Sequence, residues 1–194
     1  VMQGKKTAYD TDIFAPIMGK IDEFSAVDDI KARHIVADHT RTAVFMIGDG
    51  VTPSNTDQGY ILRRLIRRGL DHFHKLQGSD LNPILEAIVM QYKTTDPDLE
   101  TKFETIKNVI LEEEQRYKNI LKTAKQFISK KYKKIGEELM GVVEISAEDA
   151  FILYTTHGLS PTQIKSLGFV FDAQQFAETM TAHHSLSRVG SAQN

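Results

Sequence analysis

Four arginines stand close together, Arg63, Arg64, Arg67 and Arg68, in the segment YILRRLIRRGLDHFHKL at residues 60–76. On a helix turning about 100° per residue they share an arc of roughly 140°. Ile61, Leu62, Leu65, Ile66 and Leu70 fill the opposite arc. A packed helix needs only a polar outer face, which mixed Lys and Glu would supply. Four arginines without an acid among them repel one another. Guanidinium groups in a row suit phosphate oxygens, which they grip bidentately. The competing reading is a solvated face whose arginines pair with acids from elsewhere. The loop just ahead, GDGVTPSNTDQG at 48–59, adds Ser54, Asn55 and Thr56. These short polar side chains stand beside the outward N–H groups of a helix start. Asn donates and accepts at once, so it can read a base edge.

A second basic stretch runs through Arg116, Lys118, Lys122, Lys125, Lys130, Lys131, Lys133 and Lys134 with no acid between them. It follows an acidic stretch of Asp96, Asp98, Glu100, Glu104, Glu112, Glu113 and Glu114. Acids first and bases last complement a helix macrodipole. Contact with a nucleic-acid backbone, centred on Lys122 and Lys125, is the other account.

Other chemistries find little support. With no cysteine there is no disulfide, thiolate nucleophile or Cys-ligated zinc. His72 and His74 diverge on a helix, as do His183 and His184, and no carboxylate completes a site with His34 and His39, so no metal site is expected. Asp10 and Asp12 read as capping residues of a first helix rather than a catalytic pair. GDG at 48–50 is a turn and not a P-loop. The Phe and Tyr residues fall mostly on apolar stripes and read as core. No catalytic residue is expected.

The whole chain has 194 residues, 24 Lys+Arg against 26 Asp+Glu and a formal charge of −2, so nucleic-acid binding would have to lie in local patches. No apolar run approaches the roughly 20 residues of a membrane span, and VMQGKKTAYD is no signal peptide. A cytoplasmic location is the default. The chain starts with Val, and SLSRVGSAQN has no clear ending. Both ends are expected to be cuts in a longer chain.

The elements that must carry these residues are helical. Stripes of apolar residues predict helices over 10–21, 27–47, 60–76 and 81–92. Asp96 as N-cap and Pro97 at the first position open a long helix running to about Ile135. Its stripe is Leu99, Phe103, Ile106, Ile110, Tyr117, Ile120, Ala124 and Phe127, broken only by Glu113. Gly136 and Gly141 end it. VVEI at 142–145 could form one short strand, with nothing else expected to pair with it. Helices resume over 147–156 and 172–187. The expectation is an all-α fold: a helical bundle, one long spanning helix over about 97–135, and a smaller C-terminal helical part. Subdomains are expected at 1–95 and 96–194.

ARHIVADHTRTAVFMIGDGVTPSNTDQGYILRRLIRRG, residues 32–69, closely resembles the signature stretch of alanyl-tRNA synthetases: an ADH-R element, a DGV-P loop with Asn, then GY-LRR-IRR. AYDTDIFAPI at 8–17 resembles the segment after class II motif 3, AFILYTTHGLSP at 150–161 the LYDTYGFP element, and HHSLSRVGSAQN at 183–194 the junction beyond. The resemblance covers residues 1–194 and implies the helical tRNA-recognition middle domain that follows the catalytic core.

That resemblance implies an alanine–tRNA ligase segment which orients the acceptor stem of tRNA(Ala) for ATP-dependent aminoacylation. ATP and Mg²⁺ would serve the parent enzyme, and no cofactor belongs to this chain. The catalytic and editing domains would be its partners, and class II motifs 1–3 would lie outside it, so alone it is expected to be inactive. Asn55 matches the family's base-pair-reading Asn. Thr155 stands where the family has an Asp across the pair. The residues leave an alternative open: a helical protein-interaction module using the long heptad-like helix.

Overall fold

A computed structural model describes residues 4–132 and 142–191, with side chains described as far as 183. The chain divides into two compact units, Val1–Tyr117 and Lys118–Asn194. Among the described residues the fold is all-α apart from one two-stranded ladder.

The first unit begins with a 3-10 turn, Ala8–Asp10, followed by α1 (Ala15–Glu23), α2 (Ile30–Gly48), α3 (Asp57–Lys75), α4 (Asn82–Tyr92) and α5 (Asp98–Thr101). The first part of α6 (Phe103–Tyr132) completes it. Ile17, Ile21, Val36, Val44, Leu62, Leu70, Ile84, Ile88, Ile106 and Ile110 form its core. Asp29 caps α2: one carboxylate oxygen accepts from Ala32 N at 3.0 Å, the other from Lys75 Nζ at 2.6 Å. Asp10 accepts from the Thr7 N–H and hydroxyl at 3.0 and 2.8 Å. It therefore closes the 3-10 turn and does not cap α1, which starts at Ala15 with Pro16 in its first turn.

The expected long helix is interrupted near its start. Lys102 leaves helical geometry at φ −93°, ψ 3°. Its Nζ donates to the Gly48 carbonyl at 2.8 Å, and Leu99 packs over Gly48, which has no Cβ to obstruct it. The side chain of Asp96 accepts from Thr95 Oγ1 at 2.7 Å, and Pro97 holds the cap position. Lys133, Lys134, Ile135, Gly136 and Gly141 lie outside the described residues. Ile106, Ile110 and Tyr117 of α6 are buried in the first unit.

Glu113, the break in the apolar stripe, is 2% exposed and Arg67 is 5% exposed. Arg67 Nε donates to Glu113 Oε1 at 2.7 Å. The Arg67 guanidinium lies 5.2 Å from the Tyr117 ring centroid, and Tyr117 OH donates to Asp71 Oδ1 at 2.7 Å. These contacts lock α3 to α6.

The second unit holds the rest of α6, then β1 (Val143–Glu144), α7 (Ala147–Thr155), α8 (Pro161–Ser166), β2 (Phe169–Val170) and α9 (Ala173–Ser191). β1 pairs in parallel with β2, Val143 opposite Phe169, which corrects the expectation that VVEI has no partner. α8 is a further addition, stabilised by a Ser160–Gln163 capping box.

Removing one partner of a buried ion pair typically costs about 3–5 kcal/mol, because the other charge is left unpaired. Glu113→Ala should lose stability on that scale in urea unfolding, and Arg67→Met with Glu113→Leu should recover most of it. A loss below about 1 kcal/mol would mean that water reaches Arg67.

Asp29 also carries a pH signature. Its carboxyl is lowered to about 2 from an ordinary 3.8, first by the Lys75 hydrogen bond and then by the Ala32 N–H. A depressed carboxyl adds stability above its unfolded value, and this is lost as pH falls through the folded one. Asp29→Asn keeps the cap and drops the ion pair. Its stability deficit should be present above pH ~4 and vanish near pH ~2; a deficit that persists at acid pH would place the effect elsewhere.

Candidate nucleic-acid interface

α2 ends where Gly50 takes φ +89°, a left-handed conformation that suits glycine, and the chain runs as a loop to Thr56. Asp57, at φ 50°, turns it into α3. The loop lies tightly on the helix start. A Cβ on Gly59 would meet Ser54 Oγ and stand 2.5 Å from the Thr52 carbonyl oxygen. Ser54 Oγ donates to the Thr56 carbonyl at 2.8 Å. The exposed Asn55 is thereby held beside the first turns of α3, where its Oδ1 accepts from Arg63 Nη1.

The four arginines have different surroundings. Arg63 is half-buried, and its pKa is lowered first by burial and then by the charge of Arg67, with Glu113 and Tyr60 opposing. Its guanidinium lies 5.5 Å from the Tyr60 ring centroid, and that of Arg64 lies 5.6 Å from the same ring. Arg64 and Arg68 are exposed, with no carboxylate partner among the described residues. Arg67 departs from the expected outward face: it is 5% exposed and paired with Glu113 at 2.7 Å inside the first unit. Conversely Ile61, placed on the apolar arc by its spacing, is 53% exposed. Burial lowers the pKa of both His39 and His72, with Asp38 opposing at His39 and Arg68 adding to the fall at both. At both positions burial favours the neutral imidazole.

The other expected residues belong to the second unit. Lys122 and Lys125 are exposed on α6 and line an open groove of about 700 Å³ with Lys118, Lys130, Leu121 and Leu167. Neither Lys122 nor Lys125 has an acidic partner among the described residues. Lys131 does: its Nζ donates to the buried Asp149 at 2.8 Å. Tyr132 OH donates to the same carboxylate at 2.5 Å, and these contacts pin the start of α7 to α6. The hydrogen bonds from Lys131, Tyr132 and Ser146 hold the Asp149 pKa low against its burial. Thr155, the last residue of α7, is exposed and donates its hydroxyl to the Phe151 carbonyl at 2.9 Å.

Sequence reasoning missed Tyr60, 36% exposed beneath two guanidiniums and no core residue. Its spacing of three and four from Arg63 and Arg64 is the available signal, since such residues are neighbours on a helix surface. It also missed Asp149. Ser146 three residues ahead is an N-cap signature, but the Lys131 and Tyr132 partners are long-range.

The family described as class II tRNA synthetases (A) matches residues 1–194, and the chain belongs to it. Within that family it is similar to alanine–tRNA ligases. It is 33% identical to that of Desulfitobacterium hafniense (strain Y51) over 100% of this chain and 23% of the relative. It is 34% identical to that of Treponema pallidum (strain Nichols), over 98% of this chain and 33% of the relative. With that of Bacillus pumilus (strain SAFR-032) it shares 36%, over 81% and 19%. The chain thus spans a third or less of the length of these relatives.

Family membership raises the question of ATP and Mg²⁺. Among the described residues no group of three or more His, Asp or Glu side chains could hold a metal. No helix among the described residues is long and apolar enough to cross a membrane.

The clamped loop makes a direct prediction. Overpacking a tight contact typically costs about 1–3 kcal/mol, and Gly59→Ala should lower stability to thermal unfolding on that scale. Adding Ser54→Ala should recover only part, because the Thr52 carbonyl remains in the way. Unchanged stability in Gly59→Ala would mean that the loop stands off the helix.

Proposed function

We propose that this chain is the tRNA-recognition segment of an alanine–tRNA ligase, acting in the cytoplasm as the helical middle domain. It orients the acceptor stem of tRNA(Ala), so that the terminal adenosine reaches a catalytic core contributed by other parts of the ligase. That core supplies the ATP- and Mg²⁺-dependent chemistry, and a further domain supplies editing. Arg64 and Arg68 hold stem phosphates, Lys122 and Lys125 add backbone contacts, and Asn55 reads a base pair. Thr155 stands at the counterpart position, with a shorter, uncharged group that its own helix already engages.

The observation that carries this reading is the pairing, on one edge of the first unit, of a clamped Asn55 with two exposed guanidiniums that lack carboxylate partners among the described residues. An arginine face serving only solubility would be expected to recruit acids, as Arg116 does with Glu112. The partner-binding module finds less support. Ile106, Ile110, Tyr117, Ala124 and Ile128 of the long helix are already buried within the chain, so the heptad-like stripe is covered.

Each duplex phosphate contact contributes roughly 0.9 to the slope of log affinity against log salt. For an acceptor-stem hairpin, Arg64→Ala with Arg68→Ala should flatten that slope by about 1.8 while helicity is retained. An unchanged slope with folding intact would remove the phosphate role from α3.

A further inference from the structure

Arg63 differs from its three neighbours in what it touches. A guanidinium carries five N–H donors and no acceptor. The atom of Asn55 that meets Arg63 Nη1 must therefore be the carbonyl oxygen, since the flipped amide would set donor against donor. The orientation of the Asn55 amide follows from that chemistry. Its Oδ1 is engaged by Arg63. Its Nδ2 has no protein partner among the described residues.

Arg63 is itself held in place. It is half-buried one helical turn beyond Tyr60, with its guanidinium 5.5 Å from the Tyr60 ring centroid. Arg64 approaches the same ring. A guanidinium seated on an aromatic ring loses freedom that a solvated one keeps. On the loop side, the close approach of Ser54 and Thr52 to Gly59 fixes the backbone next to Asn55. An exposed asparagine ordinarily presents donor and acceptor interchangeably. Here one of the two faces is occupied before any ligand arrives.

We infer that Arg63 is a positioning residue that fixes the Asn55 amide and so makes Asn55 a one-way donor. The ligand group it selects is an acceptor on the base edge, a carbonyl oxygen or ring nitrogen, and not an exocyclic amino group. This rests on the reading that Asn55 faces a base pair. It withdraws Arg63 from the phosphate-binding set and leaves that role to Arg64 and Arg68.

The test uses the whole ligase and two acceptor stems that differ at one base pair, whose recognised edge presents a carbonyl oxygen in one stem and an exocyclic amino group in the other. The readouts are the ratio of kcat/KM on the two stems and the salt slope of stem binding. Asn55→Ala should reduce the ratio at least about fivefold, the lower end for a lost base contact. Arg63→Ala should reduce it by a similar factor, the double variant should be no worse than either single one, and the slope should not change. Arg63→Lys keeps the charge but loses the planar fork, and it should fall with Arg63→Ala; it also serves if Arg63→Ala folds poorly by circular dichroism. Asn55→Asp keeps the tie to Arg63 but has no donor, and it should match Asn55→Ala. If Asn55→Ala loosens the ratio while both Arg63 variants retain it, or if Arg63→Ala flattens the slope by about 0.9, Arg63 is a phosphate ligand and the inference falls alone. If Asn55→Ala leaves the ratio unchanged, the base-reading function falls and takes the inference with it.

Discussion

The buried ion pair between Arg67 and Glu113 sets the rotation of α3, and the rest of the first unit depends on that rotation. A charge cannot be buried without a partner, so α3 accepts Arg67 on its inner face only where α6 offers Glu113. Once Arg67 is inside, the geometry of a helix decides the rest. Residues on the same side, Leu62, Ile66, Leu70 and Phe73, go in with it, while Arg64, Arg68 and Ile61 are turned outward. Tyr117, packed under the guanidinium and hydrogen-bonded to Asp71, adds a second tie between the same two helices. The pair contributes little stability relative to an apolar substitute. What it contributes is register: a slip of one residue in either helix would leave two charges buried and unpaired.

How much of this was legible in the sequence varied with the range of the forces involved. Most of the helices followed from periodicity, and α2 and α3 formed close to where their stripes placed them. Local punctuation was less reliable. Asp96-Pro97 looks like a helix start, but Leu99 seated over Gly48 and Lys102 reaching its carbonyl bend the chain one turn later. The partner of the strand expected at VVEI was illegible for a similar reason. Two residues at Val143 find two residues at Phe169, too short a run for any period to mark. At the candidate site, composition identified the arginines and the asparagine, while burial separated their surroundings. Glu113 was visible as an anomaly in its stripe, but its partner lies 46 positions away and no spacing rule connects the two.

The basic half of α6 shows the same division. Read as a run, its charges suggest either dipole compensation or one continuous electrostatic surface. In the fold the run is broken up. Arg116 leans on Glu112, and Lys131 is drawn to Asp149, where with Tyr132 it anchors the start of α7. Lys122 and Lys125, on the open groove, keep their charge without an acidic partner among the described residues. The macrodipole account pairs cations with the last turn of a helix. It does not reach the middle, because the dipole effect fades beyond the last turn.

Four arginines within six residues thus experience three environments, and the differences come from their neighbours rather than from the arginines. Arg67 meets a carboxylate in a dry interior and becomes part of the packing. Arg63 meets an amide oxygen and a tyrosine face at the rim, where it is partly desolvated and directional. Arg64, beside the same tyrosine, and Arg68 are both exposed without a carboxylate among the described residues, and their attraction for anions is screened within about 10 Å at 0.1 M salt. Counting arginines on a wheel treats these as equal and overstates the charge a ligand meets. The discriminating quantity is what each donor already touches: a fork with a fixed partner gives direction, and a fork without one gives attraction. A surface that must hold a polyanion and also distinguish one position along it needs both kinds, close together on a rigid element. α3 supplies them because one of its four arginines is buried to hold it still.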